Sequence, residues 1–284
     1  MNVLYELTGP VVHGRGKGAA AGFPTANLAL MEGELLPPAG VYATRAELSC
    51  GVFTGVTNVG TRPTADSRED VTVETWLPGF SGNLYGEQIR LHFLHWLRGI
   101  SRFPDMAALK RQIDLDAQEA QSWAGRFPDG IGFFTFSAEE TRGLSQRLAP
   151  LLPTGSVVVL RGEMGAGKSE FSRGLARGMG ITGPVPSPTF TILNEYDEGS
   201  LPFYHFDWYR VSDEEELLEI GAPDYLPGRG VTAVEWAERA ESLLPAKRLE
   251  VFLQPVGENA RLILFSALGG AENPALRLKE DFSC

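Results

Sequence analysis

Residues 162–169 read G-E-M-G-A-G-K-S, a full match to G-x-x-x-x-G-K-[ST]. Gly162, Gly165 and Gly167, with the small Ala166 among them, allow backbone N–H groups to turn inward around phosphate oxygens at the positive end of a helix. The Lys168 ammonium can reach β- and γ-phosphates, and the Ser169 hydroxyl can sit on Mg²⁺. Such a loop needs a further acidic group for the metal, usually at the end of another strand. V-T-A-V-E-W (231–236) offers Glu235 there. Taken alone, Glu235 reads equally well as an ordinary strand-end carboxylate.

A second glycine-rich stretch, V-H-G-R-G-K-G-A-A-A-G-F-P-T-A-N (12–27), carries Gly14, Gly16, Lys17, Gly18 and Gly22 ahead of Thr25 and Asn27. Its glycines and lysine could cradle phosphates, although it is not a Walker sequence. Elsewhere the blander readings win. His205 lacks a second His or Cys at ligand spacing, which argues against zinc. His13, His92 and His95 form no metal-like constellation and read as structural. Asp213-Glu214-Glu215-Glu216 reads as an acidic first helical turn.

The elements that must position these residues change grammar once along the chain. Segments 3–8, 41–48, 51–59, 71–77 and 88–96 are short, rich in Val, Thr, Tyr, Phe and Trp, and punctuated by Gly, Pro, Asn and Asp. In V-T-V-E-T-W-L (71–77), Val71, Val73, Thr75 and Leu77 share one face, and Thr72, Glu74 and Trp76 the other. This spacing predicts an antiparallel barrel or sandwich. A helix is predicted near 105–122, with Met106, Leu109, Ile113, Ala117 and Ala120 at steps of three and four and Asp105 as its cap. G-R-F-P-D-G-I-G (125–132) has no periodicity and reads as a boundary. Beyond it, Ser137-Ala138-Glu139-Glu140 is a capping box opening a helix to about 150. Val157–Leu160 reads as a buried strand, and further strands are expected at 231–235 and 249–254, which describes an α/β domain. The expected organisation is a barrel domain at 1–125, a linker at 126–132, an α/β P-loop NTPase domain at 133–268 and a flexible tail at 269–284.

Composition bounds the possibilities. The 284 residues are 43% hydrophobic and 21% charged, which argues against wholesale disorder and supplies apolar mass for two cores. The formal net charge is −11, with 10 basic against 13 acidic side chains in residues 1–125 and 15 against 23 in the remainder. Tight binding to nucleic acid unaided is not expected of such a surface. Two cysteines, Cys50 and Cys284, read as free thiols of a reducing compartment. The start, M-N-V-L-Y-E-L-T, has no basic n-region, and no apolar run reaches the roughly 18 residues of a membrane span. A soluble, cytoplasmic protein without membrane partners is the expectation.

G-E-M-G-A-G-K-S, S-P-T-F (187–190), H-F-D-W-Y-R (205–210), E-I-G (219–221) and V-E-W-A-E-R (234–239) occur in that order. Together they closely resemble the TsaE family, the bacterial ATPases of tRNA threonylcarbamoyladenosine biosynthesis, over about residues 133–262. The resemblance implies that Thr189 sits in a switch-like loop near the γ-phosphate and Mg²⁺. Asp207 and Glu235 are implied as acidic metal or water-positioning residues, and Trp236 as packing near the nucleotide or a partner. It also implies docking on a TsaB–TsaD complex, with tRNA met only indirectly. The family usually has Asp-Leu at Glu163-Met164, Thr at Ser169 and Leu at Trp208.

The ending G-F-P-T-A-N (22–27), with N-V-G-T-R-P-T (58–64), V-E-T-W-L (73–77), N-L-Y-G-E-Q-I-R-L (83–91), W-L-R-G-I-S-R-F-P (96–104) and L-K-R-Q-I-D-L-D (109–116), resembles bacterial riboflavin kinase over about residues 4–122. A ribityl hydroxyl attacking the γ-phosphorus of ATP needs a carboxylate within hydrogen-bond reach, and Mg²⁺ on the phosphates. The resemblance implies Glu74 as that base. It implies Thr25 and Asn27 on Mg²⁺ and phosphate oxygens, and Gly14, Gly16, Gly18 and Gly22 as close approaches to ATP. The isoalloxazine ring would lie at the aromatic end of the barrel, by the helix at 105–122. Where the family usually has Arg-Gly-Arg, Lys17-Gly18-Ala19 stand here, so bidentate guanidinium contacts to phosphate are missing. Ala21 replaces a usual Leu. No adenylyltransferase half with an H-x-G-H signature is present, so the product is expected to be FMN. Two ATP-using enzymes in one chain is the first reading. The alternative is a flavin-sensing barrel coupled to a P-loop switch, without kinase activity. A third reading, the P-loop domain as another small-molecule kinase, is opposed by S-P-T-F and H-F-D-W-Y-R.

Overall fold

The computed structural model describes residues 3–14, 22–31, 33–63 and 69–282. Gly16, Lys17 and Gly18 of the first glycine-rich stretch lie outside the described residues, as do Ala19, Ala21 and Cys284. The chain divides into two compact units, Leu4–Phe134 and a second that takes up from Thr135.

In the first unit, β1 (Glu6–Val12), β2 (Thr25–Leu28), β3 (Gly40–Leu48), β4 (Gly51–Pro63), β5 (Glu69–Trp76) and β6 (Gln88–Arg98) close a barrel in the order β1-β2-β5-β4-β3-β6. Every pairing is antiparallel. Period-two alternation sends Leu7, Tyr42, Val59, Val73, Leu91 and Phe93 into the interior. Three interior threonines satisfy one another, Thr57 lying 2.8 Å by its hydroxyl from both Thr44 and Thr75. Gly55 is required beside them, because a Cβ there would stand 2.6 Å from the Thr44 hydroxyl. β2 is a strand within what reads in the sequence as a motif: Leu28 faces the core while Thr25 and Asn27 stay half-buried.

Helix α1 (Met106–Arg126) starts where Asp105 accepts the Ala108 N–H at 2.7 Å. Its Ala117 and Ala120 pack on Val41, Ala43 and Val56 of the barrel wall. Arg98 on β6 clamps the buried Asp116 carboxylate with Nη2 at 2.8 Å and Nε at 3.1 Å. The unit runs beyond residue 125, where the sequence placed its limit. Arg45 donates to the carbonyls of Pro128 (2.6 Å) and Gly130 (2.9 Å). Leu4 pairs with Phe134, whose ring packs edge-on against Tyr42 and Phe93. Residues 131 and 132, expected in the linker, instead begin β7 (Ile131–Thr135), all five residues of which are buried. Apolar burial overrides the Pro128-Asp129-Gly130 punctuation just before it.

In the second unit, α2 (Ala138–Leu148) opens where Ser137 accepts the Glu140 N–H and the Glu140 carboxylate accepts the Phe136 N–H. There follow β8 (Val157–Arg161), α3 (Lys168–Gly178), β9 (Leu193–Tyr196), β10 (Phe203–Asp207), α4 (Glu214–Glu219), β11 (Val231–Glu235), β12 (Arg248–Pro255) and β13 (Arg261–Leu268). The strands lie side by side as β13-β12-β8-β11-β10-β9. β12, β8, β11 and β10 are parallel neighbours, and β13 and β9 join antiparallel. Asp213 caps α4 by accepting the Glu216 N–H, so the acidic run does form a first helical turn.

The tail expected to be flexible is folded as far as it is described. In α5 (Ala275–Leu278), Ala275 and Leu278 are fully buried, and the helix contacts α2. The buried Asn273 amide bridges the Phe265 carbonyl and the Ala275 N–H. One turn of helix is too short to show periodicity between Gly269-Gly270 and the charged end, so its apolar pair was not recognised. Among the described residues no helix is long and apolar enough to cross a membrane.

Candidate active sites

The eight residues from Gly162 to Ser169 turn from the end of β8 into α3. Gly162, Gly165 and Gly167 take φ of 145°, 80° and 108°, a region that disfavours a side chain. Gly162 has a second constraint, since a Cβ there would lie 2.4 Å from the Leu253 carbonyl oxygen. Ala166 is fully buried beneath the loop. Lys168 folds over the loop, donating to the carbonyls of Gly162 (2.7 Å) and Glu163 (3.0 Å), with its ammonium 4.1 Å from the Trp236 ring centre. Burial lowers its pKa, against the pull of Glu235, Glu238, Asp207 and Glu163.

Parallel pairing brings the acids to the same place. β10 and β11 run in register with Asp207 opposite Glu235, and Glu235 is in turn opposite Leu160 of β8, just before the loop. The carboxyl ends of three parallel strands therefore meet at the start of α3, the usual ligand position of an open α/β sheet. Ser169 donates to Glu235 at 3.4 Å. Asp207 accepts from the hydroxyl of Thr189 at 2.5 Å and, through its other oxygen, from the Tyr209 N–H at 3.0 Å. These residues line a cavity of about 430 Å³ together with Met164, Tyr209 and Trp236. Among the described residues, the two that hold positive φ without being glycine, Ile192 and Trp236, both adjoin it: Ile192 accepts the Asp207 N–H, and Trp236 follows Glu235. Each such backbone costs about 1–3 kcal/mol, the kind of strain found at functional sites.

Residue typing missed His205. Its Nε2 lies 2.9 Å from Glu235 Oε1, with both side chains buried. A carboxylate can only accept, so Nε2 carries the proton. The signal was available only as the position two residues before Asp207, on the same side of one strand.

In the barrel, Glu74 stands on the outer face of β5, directly opposite Asn27 on β2 and Asn58 on β4. The Thr25 hydroxyl donates to Glu74 at 3.4 Å, and the Asn27 amide donates to the Thr25 carbonyl at 3.4 Å. A Cβ on Gly14 would lie 2.3 Å from the Asn27 amide nitrogen, so any side chain there would displace the Asn27 amide. Gly22, with φ of 91°, faces open space before β2. The structure thus brings Gly14, Thr25, Asn27 and Glu74 together. Two residues along β5, Trp76 meets Phe23 edge-on at 4.9 Å and packs against the buried cluster of Val41, Ala43, Val56, Ala117 and Ala120 between the barrel wall and α1. An aromatic surface therefore adjoins the carboxylate.

Both sites offer hydroxyl and carboxylate oxygens, and the barrel site the Asn27 amide oxygen as well, the donors Mg²⁺ prefers. Among the described residues no three His, Cys, Asp or Glu side chains group to hold a metal on their own.

A Gly-Lys-Ser loop at the carboxyl ends of parallel strands, faced by two buried carboxylates, defines the second unit as a P-loop nucleotide-hydrolysing domain. The first is an antiparallel barrel with a carboxylate beside Thr25 and Asn27. Residues 135–263 match the family model for the threonylcarbamoyl adenosine biosynthesis protein TsaE, and residues 1–124 that for riboflavin kinase. The tRNA threonylcarbamoyladenosine biosynthesis protein TsaE of Bacillus subtilis is 44% identical over 135 residues, 48% of this chain and 84% of that protein. The protein of the same description from Synechocystis is 45% identical over 120 residues, covering 40% of this chain and 75% of its own length. The bifunctional riboflavin kinase/FMN adenylyltransferase of Bacillus subtilis is 37% identical over 118 residues, 41% of this chain but 37% of that protein. The chain belongs to the TsaE family and carries a riboflavin kinase domain ahead of its TsaE domain.

Proposed function

We propose that this is a bifunctional ATP-using enzyme: its first domain phosphorylates riboflavin to FMN, and its second hydrolyses ATP in support of threonylcarbamoylation of tRNA adenosine 37. For the kinase, the supporting observation is Glu74 held between Asn27 and Asn58 with the Thr25 hydroxyl 3.4 Å away. Glu74 takes the proton from the ribityl hydroxyl as that oxygen bonds to the γ-phosphorus and ADP leaves. Thr25 and Asn27 hold Mg²⁺ and phosphate oxygens. Gly14, Gly16, Lys17, Gly18 and Gly22 form the approach to ATP. Trp76 and the adjoining face of α1 receive the flavin ring.

For the ATPase, the supporting observation is the meeting of Lys168, Ser169, Thr189, Asp207 and Glu235 around one cavity. Gly162, Gly165, Ala166 and Gly167 present backbone to the phosphates. Lys168 neutralises charge on the β- and γ-phosphates. Ser169 and Glu235 hold the Mg²⁺ that offsets the developing negative charge. Asp207, tied to Thr189, positions water. Trp236 packs against the nucleotide or a partner. The acidic domain meets tRNA through TsaB- and TsaD-like proteins, on which it docks. P-loop enzymes often turn over slowly until a partner orders the switch. Two cysteines fit a reducing, cytoplasmic setting.

The test is chromatography of a reaction holding riboflavin, ATP and Mg²⁺. Wild type and Lys168→Ala both form FMN, and Glu74→Gln forms it about 10²–10⁴ times more slowly. Absence of FMN from all three would leave the flavin-sensor reading. In a reconstitution with TsaB, TsaD, tRNA, threonylcarbamoyl-adenylate and ATP, Lys168→Ala stops multiple-turnover modification. Equal turnover by wild type and Lys168→Ala would remove the ATPase role.

A further inference from the structure

Arg261 lies outside every motif of the sequence, at the start of β13. Its guanidinium is aimed at the back of the phosphate-binding loop. Nε donates to the Ala166 carbonyl at 2.9 Å and Nη2 to the Gly165 carbonyl at 3.4 Å. Nη1 is anchored in the β12–β13 hairpin, chiefly on the Ala260 carbonyl at 2.9 Å, with the Glu258 and Gly257 carbonyls at 3.4 and 3.5 Å. All five acceptors are backbone carbonyls, so none of these bonds neutralises the cation.

A trans peptide points its C=O and N–H in opposite directions. Fixing the Ala166 carbonyl outward on Arg261 therefore aims the Gly167 N–H into the loop, where the nucleotide phosphates go. The Gly165 carbonyl is fixed the same way, and the Ala166 N–H of that peptide closes the turn onto the Glu163 carbonyl at 3.2 Å. Gly167, at φ of 108°, is the residue that lets the next peptide reverse into α3. The planar fork of arginine reaches two successive carbonyls, which one ammonium cannot do from the same distance. Its charge also adds to the positive end of α3.

We propose that Arg261 is a positioning residue for ATP binding: from behind the loop it holds the 166–167 peptide with its N–H toward the phosphates and the 165–166 peptide in the turn that supports it, without touching the nucleotide. This rests on the reading of residues 162–169 as an ATP site. Binding of labelled ATP with Mg²⁺ to the full chain is measured by equilibrium dialysis, and the binding that survives in Lys168→Ala is subtracted as that of the barrel. In Arg261→Ala the Kd of the Lys168-dependent site rises about tenfold or more, as expected for losing charge-assisted bonds, with its stoichiometry retained. Arg261→Lys falls between the two. A merely structural role lowers stoichiometry, because fewer molecules are folded, and leaves Kd unchanged. An unchanged Kd in Arg261→Ala overturns the proposal, and Arg261→Gln decides by the same criterion if the alanine variant does not fold. Equal binding by wild type and Lys168→Ala would instead overturn the ATP-site reading itself.

Discussion

Replacing His205 by Phe isolates one hydrogen bond. The ring is 1% exposed and stacks on Phe203 at 6.0 Å, a packing that Phe reproduces. Nδ1 has no partner among the described residues, so removing it leaves no other group unsatisfied. What is lost is the 2.9 Å bond from Nε2 to Glu235, whose other oxygen, among the described residues, accepts only the long 3.4 Å bond from Ser169. A hydrogen bond to a charged, buried group is worth about 1.5–3 kcal/mol. The same loss frees the carboxylate to rotate, and breaking the support of a metal-holding group typically costs about 10–100-fold in metal affinity. The assay is ATP hydrolysis by the full chain without riboflavin, titrated with Mg²⁺. His205→Phe shifts half-saturation upward by about that factor. His205→Gln recovers most of it, because its amide nitrogen sits near the place of Nε2. A His205→Phe protein with the wild-type Mg²⁺ dependence would refute this, as would equal losses in the Phe and Gln variants.

Three further outcomes follow from the packing. Fragment 1–134 makes FMN and unfolds at higher urea than fragment 1–125, which loses the Phe134 ring and both carbonyl acceptors of Arg45; loss of a buried Phe ring alone costs about 3–5 kcal/mol. Equal midpoints would show that residues 126–134 add nothing to the barrel. Leu278→Ala destabilises the second unit by about 2–5 kcal/mol in urea, which a disordered tail would not do. His95 stacks on Trp123 at 3.9 Å, and burial lowers its pKa to about 4 from the ordinary 6.5. The unfolded chain then takes up the proton first, so the barrel loses stability as pH falls from 6.5 towards 4, by at most about 1.4 kcal/mol per unit. His95→Phe removes that part of the slope, and an unchanged slope would exclude His95 as its source.

Much of both sites was legible because it is local. The conformation of residues 162–169 depends on glycine torsions and on N–H groups a few residues apart, so eight consecutive letters describe it. V-T-V-E-T-W-L showed which face Glu74 takes, since alternation along a half-buried strand is itself a sequence property. Less was legible where burial, rather than periodicity, chose the conformation. β7 follows Phe127-Pro128-Asp129-Gly130, a stretch that reads as linker, and becomes a strand because Ile131, Phe133 and Phe134 are buried. α5 is a single turn, held by two side chains in contact with α2.

The residue types able to bind phosphate, carry Mg²⁺ and accept a proton were determined by the sequence alone, together with the change from barrel to α/β grammar. Their company was decided only by the tertiary structure. Asp207 and Glu235 become neighbours through the parallel register of β10 and β11, and Asn27 faces Glu74 through the antiparallel register of β2 and β5. His205 reaches Glu235 and Arg261 reaches Ala166 in the same way, across 30 and 95 positions of chain. The reason is that strand register is selected by which faces can be buried together, a sum over many side chains, and no short segment contains that sum.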